Sequence, residues 1–310
     1  MNKEEFYISS SDGVSQLHGI LWEPVGEVKA VLQISHGMVE YIGRYDRFAR
    51  YLNEAGIVVV GNDHIGHGKT SKEEDWGYFG GKEGSGMVVD DLYLITRKTK
   101  EKYKDIPYFV MGHSMGSFMI RRYIMTYGNE VDGAIIMGTG SQPASKLIGG
   151  KLILGILKAV KGDRHRSKFV DKLNFGSYNK RIRHNRTDKD WLTKDTEIVD
   201  AYLKEPMCNF IFTLNGFETL RSVTSFIQKK ENIAKIPENL PIFLVSGEED
   251  PVGNYGKGVI KVYETYRKHG IKDIEMKLYP GDRHELVNET DYEAVYKDIL
   301  SWIEKKVHTM

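Results

Sequence analysis

Short, nearly continuous apolar runs punctuate the first half of the chain: Ala30-Val31-Leu32-Gln33-Ile34, Ile57-Val58-Val59-Val60, Tyr108-Phe109-Val110-Met111 and Ala134-Ile135-Ile136-Met137. A strand covered on both faces has no solvent side and therefore no alternation, which is the pattern of interior parallel strands. Between these runs the apolar period becomes helical. Tyr45, Phe48, Ala49 and Leu52 share one helix face ahead of Gly56, a natural stop, and Met87, Leu92, Leu94 and Ile95 head a second helix whose last turn, Lys98 through Lys104, is basic. Phe6-Tyr7-Ile8-Ser9 and Gln16-Leu17-His18-Gly19-Ile20-Leu21-Trp22, joined through Ser11-Asp12-Gly13, predict an antiparallel hairpin at the start. Strand and helix patterns resume at Pro241-Ile242-Phe243-Leu244-Val245 and Ile274-Glu275-Met276-Lys277-Leu278-Tyr279. Helices carrying Tyr263 and Tyr266, and then Tyr292, Val295, Tyr296, Ile299 and Ile303, follow them. The whole predicts an α/β domain with a mostly parallel sheet.

Residues 141–215 break the alternation. They hold the apolar run Leu147 to Leu157, a basic stretch from Lys161 to Arg186, and a helical pattern from Asp195 to Leu203. We read them as a helical cap inserted into a core of residues 1–140 and 216–310, with the next helix expected from Phe217 to Ile233. The apolar run is too short to cross a membrane. It is either cap core or a lid helix lining an acyl pocket, and on the second reading Leu152 and Leu157 face the pocket.

Composition narrows the class. With 310 residues, 40% hydrophobic and 28% charged, the chain has the make-up of a globular protein rather than a disordered or membrane-spanning one. A net charge of +1 argues against a dedicated nucleic-acid binder. The charge is uneven, however: residues 141–215 carry 15 Lys and Arg against 8 Asp and Glu, or +7, which leaves −6 elsewhere. The basic stretch is either a solvated face or a surface for peripheral contact with anionic lipid. Cys208 is the one cysteine, so an intramolecular disulfide is excluded and no Cys-x-x-Cys metal site exists. The charged opening Met1-Asn2-Lys3-Glu4-Glu5-Phe6 lacks a signal-peptide pattern, so the expected address is cytoplasmic.

Candidate chemistry lies past the strand ends, where open α/β sheets bind ligands. Gly112-His113-Ser114-Met115-Gly116 is a G-x-S-x-G elbow between a strand and a helix, with Ser114 the candidate nucleophile. Ser246-Gly247-Glu248-Glu249-Asp250-Pro251 supplies a candidate acid, Asp250, because Pro251 ends the turn there. Pro280-Gly281-Asp282-Arg283-His284-Glu285 supplies the base, His284. Serine is weak at its own pKa, so His284 must take its proton, and an acid must fix the imidazole tautomer. The order Ser, Asp, His is the one hydrolases of this topology use. The two oxyanion donors expected are the backbone N–H of Met115 and, from the loop Ser35-His36-Gly37-Met38-Val39-Glu40, that of Met38. Asp63-His64-Ile65-Gly66-His67-Gly68 has a His-x-x-His beside a carboxylate, but its glycines predict a tight loop without a third ligand, so no metal and no cofactor is expected.

These segments together resemble the monoacylglycerol lipase and lysophospholipase branch of the α/β-hydrolases, a group also described as serine aminopeptidases. The marks are Ser35 to Glu40 with Gly43-Arg44-Tyr45, Asp63 to Gly68, the Ser114 elbow, Ser246 to Pro251 and Gly281 to Glu285. Tyr41 and Ser117 depart from it, standing where the family often has histidine and glycine. The resemblance implies an eight-stranded, mostly parallel sheet with helices on both faces and an inserted helical cap. It implies catalytic Ser114, Asp250 and His284, oxyanion donors Met38 and Met115, and small acyl esters, monoacylglycerols or lysophospholipids, as substrates. A proline iminopeptidase-type activity and a noncatalytic binding protein on the same fold are the alternatives.

Overall fold

The computed structural model describes residues 1–81 and 84–309. Lys82, Glu83 and Met310, three positions of the expected core, lie outside the described residues. One sheet of eight strands organises the chain, in the order β1 (Asn2–Ser9), β2 (Gln16–Glu23), β4 (Ile57–Asn62), β3 (Ala30–Ser35), β5 (Tyr108–His113), β6 (Gly133–Met137), β7 (Ile242–Gly247), β8 (Ile274–Tyr279). β1 and β2 form the expected hairpin and β2 runs antiparallel to β4; the remaining pairings are parallel. Strands β3 to β7 are buried at every residue, which is why their sequences do not alternate. β1 is the exposed edge, and Lys3, Glu4 and Glu5 there discourage pairing with another sheet.

Two apolar layers cover the sheet. α1 (Asp46–Glu54) and α10 (Tyr292–Val307) bury Phe48, Leu52, Tyr296, Ile299 and Ile303 against one face. α2 (Gly84–Lys102) and α3 (Met115–Tyr127) cover the other. α1 ends where expected, at Gly56, whose φ of 86° is left-handed and favours glycine.

After β6 the chain leaves the sheet through α4 (Ala144–Lys161), α5 (Lys168–Phe175) and α6 (Thr196–Lys204), the last capped by Asp195, which accepts from the N–H groups of Glu197 and Ile198. It rejoins the layer of α2 and α3 with α7 (Leu214–Ile227). The helix expected from Phe217 to Ile233 is in fact two, α7 and α8 (Lys230–Ile233). The break follows from Gln228, whose amide is fixed by the chain leaving β6: it accepts from Gln142 N–H at 2.7 Å and donates to Gln142 O at 2.9 Å. α9 (Lys257–Lys268) follows β7 and packs Val259, Val262 and Tyr266 into the same layer.

Candidate active site

β5 enters a turn at Ser114, whose φ of 54° and ψ of −119° lie outside the regions that side-chain-bearing residues favour. Such a conformation costs on the order of 1–3 kcal/mol and persists only when its surroundings dictate it. Here they do. A Cβ on Gly112 would lie 2.2 Å from Gly116 O, and one on Gly116 would lie 2.0 Å from Ser35 O, so both glycines are required by close backbone approach. The second approach presses the first turn of α3 onto the end of β3, where the Met38 loop begins. Ser114 N–H donates to Met137 O at 3.0 Å, tying the turn to β6. Met115 is the first residue of α3, so its N–H has no intrahelical acceptor.

Asp250 and His284 converge past the ends of β7 and β8. The Asp250 carboxylate is fully buried, accepting from Val252 N–H at 2.8 Å and from the Ser246 hydroxyl at 3.3 Å, whereas Glu248 and Glu249 are exposed. His284 Nδ1 lies 2.9 Å from Asp250 Oδ2. Nδ1 has no aligned hydrogen-bond partner among the described residues. The pair is thus a close approach of base and acid rather than an aligned hydrogen bond.

A buried ionic set ties the three loops together. Glu40 Oε1 accepts from Gly37 N–H at 2.5 Å and from the Tyr45 hydroxyl at 3.0 Å, and it lies 3.1 Å from His113 Nδ1. Arg44 bridges Glu40 and Glu285, reaching both Glu285 oxygens at 2.7 Å. Gly37, His113 and Glu285 are the immediate neighbours of Met38, Ser114 and His284, so one set of charges positions all three. Burial alone would raise the Glu40 carboxyl, but the His113 hydrogen bond and the Arg44 guanidinium outweigh it and hold it well below the usual carboxylate range. Glu285 is also lowered, with Arg44 overcoming the burial penalty. Burial pulls His113 down, yet its bond to Glu40 gives a net rise, which suits a cation beside two carboxylates. His113 Nε2 lies 3.2 Å from His284 O, so its ring is committed to the scaffold.

The loop from Asp63 to Gly68 is likewise committed. Asp63 pairs with His18 at 2.8 Å and accepts from the N–H groups of Ile42 and Lys69. A Cβ on Gly68 would meet the Asp63 carboxylate at 2.2 Å. His67 Nε2 accepts from Val39 N–H at 3.3 Å, and burial drops the His67 pKa to about 3, so this imidazole props the Met38 loop as a neutral acceptor.

Ser114, His284, Met38 and Met115 all line one cavity of about 870 Å³, whose far wall includes Leu147, Ile153, Leu154, Phe210, Phe217 and Leu220. The expectation for Leu152 and Leu157 is corrected here. Leu152 is 66% exposed on the outer face of α4, and Leu157 packs against the core; a different face of the helix, with Leu147, Ile153 and Leu154, lines the cavity instead.

A family model for serine aminopeptidase S33 matches residues 26–291, a span that includes every one of these loops. The chain belongs to the serine aminopeptidase S33 family. It is similar to the monoacylglycerol lipase of Mycolicibacterium smegmatis, 27% identical over 308 residues that cover 97% of both proteins. It is also similar to the monoglyceride lipase of Mus musculus, 26% identical over 303 residues covering 92% of this chain and 86% of the mouse protein. Among solved structures, a thermostable carboxyl esterase from Bacillus coagulans in complex with glycerol superposes with a TM-score of 0.92, at 30% identity and 99% coverage of each chain. For this S33 member the expected eight-stranded, mostly parallel α/β-hydrolase sheet is the observed one. No helix among the described residues is long and apolar enough to cross a membrane.

Sequence reasoning missed Trp191, whose indole lies 5.0 Å from the His284 ring, centroid to centroid. It also gave no role to Glu40, Arg44 or Glu285. Their signal was available in part: acids and an arginine four residues apart beside a candidate oxyanion loop demand partners once buried. Trp191 carries no such signal, because its neighbours from Thr187 to Asp195 show no apolar period.

Proposed function

We propose that this chain is a serine esterase that hydrolyses a single-chain lipid ester, of monoacylglycerol or lysophospholipid type, through an acyl-enzyme on Ser114. The observation that carries the reading is that a serine on a strained elbow and a histidine beside a buried aspartate open onto one large, mainly apolar cavity. At about 870 Å³ it sits toward the top of the roughly 300–1,000 Å³ range of small-molecule sites, which suits an acyl chain. The names of the Mycolicibacterium and mouse relatives, and the glycerol held by the Bacillus esterase, support a glycerol-type alcohol on the other side of the ester.

Ser114 Oγ attacks the ester carbonyl carbon as its proton passes to His284 Nε2. The carbonyl oxygen becomes an oxyanion facing the N–H groups of Met38 and Met115, and Asp250 offsets the imidazolium charge. Collapse breaks the carbon–oxygen bond, and His284 returns the proton to the departing alcohol. Water then repeats the sequence on the acyl-enzyme, releasing the fatty acid and restoring Ser114. In this reading residues 141–215 are the lid, with the inner face of α4 against the acyl chain.

The same helix supports a contact with lipid on its outer face. Ile148, Leu152, Ile156 and Val160 form one row of α4, exposed by 57–72%, and Lys151, Lys158 and Lys161 beside them form no ion pair among the described residues. Apolar side chains flanked by lysines suit peripheral docking on an anionic membrane surface. Peptide hydrolysis, the activity in the family description, is the second reading. It would call for a free carboxylate to hold a substrate ammonium; Glu40 and Glu285 are already paired with Arg44, which leaves Asp171 and Asp188, the other acids lining the cavity, as the groups that would serve it. Turnover of a monoacylglycerol, a lysophospholipid and a proline arylamide by the wild type and Ser114→Ala separates these readings. Ester turnover that vanishes in the variant is the expected result, and cleavage of the arylamide alone would replace the esterase reading with the peptidase one.

A further inference from the structure

Flanking His284, four consecutive residues touch one short segment of the chain, residues 190–195, in nearly continuous succession. Lys194 Nζ donates to Asp282 Oδ1 at 2.5 Å. The Arg283 guanidinium donates to the carbonyls of Asp190 at 2.7 Å and Thr193 at 3.0 Å. The His284 ring lies against Trp191. Glu285 N–H donates to Leu192 O at 2.7 Å. Behind them sits Glu289, fully buried. Its Oε1 accepts from Arg283 N–H at 2.8 Å, and its Oε2 accepts from Lys194 N–H and the Thr193 hydroxyl, each at 3.1 Å, and from Thr290 N–H at 3.3 Å.

A buried carboxylate is costly unless its lone pairs are used, and here they are used to join two backbones. One is the Asp282–Arg283 peptide, two residues ahead of His284; the other is the turn that carries Trp191. Since Glu285 N–H is fixed to the same turn and the Arg283 side chain reaches it as well, both sequence neighbours of His284 are tied to residues 190–195 rather than to the sheet alone. The Asp282, Glu289 and Asp291 oxygens lie close enough to hold a metal ion, but the Lys194 ammonium stands among them, at 2.5, 3.9 and 3.6 Å. A lysine already supplies the positive charge there.

We propose that Glu289 is a positioning residue, and that residues 190–195 form a fixed strap which sets the place of His284 for proton transfer, distinct from the α4 and α5 part of the excursion. The inference rests on the reading of His284 as the base. Proton transfer tolerates little displacement, and a shift of about 1 Å is worth roughly 100-fold in rate. Glu289→Gln keeps the shape but points an amide N–H at one of the donors the carboxylate now accepts from. Thr193→Val removes one donor to Glu289, together with the hydroxyl's contacts to Asn288 O at 2.9 Å and, within the strap, to Asp195 N–H at 3.0 Å, and leaves the carboxylate in place.

The test uses a short soluble ester, p-nitrophenyl butyrate, with kcat expressed per active site titrated by a fluorophosphonate, alongside thermal melting. Glu289→Gln should lower kcat by about tenfold or more and Thr193→Val by about threefold, with KM within about twofold of wild type, the split that marks loss of an interaction made in the transition state. Melting temperatures that fall while kcat per site holds would make the strap a stability element only and overturn the proposal. So would a change confined to KM. If Glu289→Gln does not fold, Thr193→Val decides by the same criteria. Absence of Ser114-dependent turnover in the wild type would instead remove the esterase reading, which keeps the two failures apart.

Discussion

The two walls of the cavity are built by opposite means. Around His284 and the Met38 loop the wall is held by directional polar contacts: Arg44 with Glu40 and Glu285, Glu289 with four N–H or O–H donors, and Arg283 with two carbonyls. Across the cavity, α4 and α5 offer Leu147, Ile153 and Leu154 inward and leave Ile148, Leu152, Ile156, Val160 and Phe169 exposed outward. Hydrogen bonds and ion pairs are directional, whereas apolar contact is not. On the proposed esterase reading, the reacting groups, which need fixed geometry, stand on the first kind of wall, and a fatty chain, which needs cover without a fixed register, would meet the second.

Arg44→Met tests the polar wall hardest. It removes the guanidinium that bridges Glu40 and Glu285, leaving only His113 beside them, and breaking a buried pair costs about 3–5 kcal/mol. The expected result in denaturant unfolding is a loss of that order, together with a strong drop in kcat; a loss below about 1 kcal/mol would show that the set is not what fixes the wall.

The pH dependence of stability follows from the same pair. Both carboxyls are held below their ordinary value of 4.5 in the folded chain, so near and below that pH the unfolded state binds more protons than the folded one. Their stabilisation is complete above pH 4.5 and is lost as pH falls. Asp91 acts in the other direction, since burial raises it to about 6 and favours its protonated form. His67 opposes it, because burial holds its folded pKa at about 3 and removes stability as pH falls below the ordinary imidazole value of 6.5, so Asp91 and His67 offset each other near pH 6. In unfolding measured from pH 7 downward, the loss from Glu40 and Glu285 is added below 4.5, and Arg44→Met should flatten that acid limb. An equally steep limb in that variant would assign the acid sensitivity elsewhere.

Smaller effects belong to the apolar wall. Ile153→Ser or Leu154→Ser should reduce kcat/KM for long-chain esters by about 10-fold while acetyl esters change by less than about threefold, as expected when buried methylenes lose their contacts. Equal losses across the series would take the acyl chain off this wall. Leu152→Ser with Ile156→Ser on the outer face should leave soluble butyrate esters unchanged and weaken sedimentation with anionic phospholipid vesicles; unaltered vesicle binding would remove the docking role from that face.

What the sequence disclosed follows the same division. Strands β3 to β7 were readable because burial on both faces writes an unbroken apolar run, and the elbow because Gly112 and Gly116 are required by backbone contact. Both are local. Asp250 was separable from Glu248 and Glu249 through Pro251. The strap was not readable: Thr193, Lys194 and Glu289 meet across more than 90 residues, and their partners are largely backbone atoms that no side-chain pattern records. α4 failed for another reason. Its apolar residues surround the helix, so periodicity could not choose the inner face, and the expectation fell on Leu152 rather than Leu154.

The most direct measurement is the rate of hydrolysis of esters from acetyl to long-chain acyl, with a monoacylglycerol included, by the wild type and Ser114→Ala. The account predicts turnover that extends to long acyl chains and falls by roughly 10⁵-fold or more in the variant, the scale seen when a serine nucleophile is removed. Wild-type turnover that survives in Ser114→Ala, or no ester turnover at all, would contradict it.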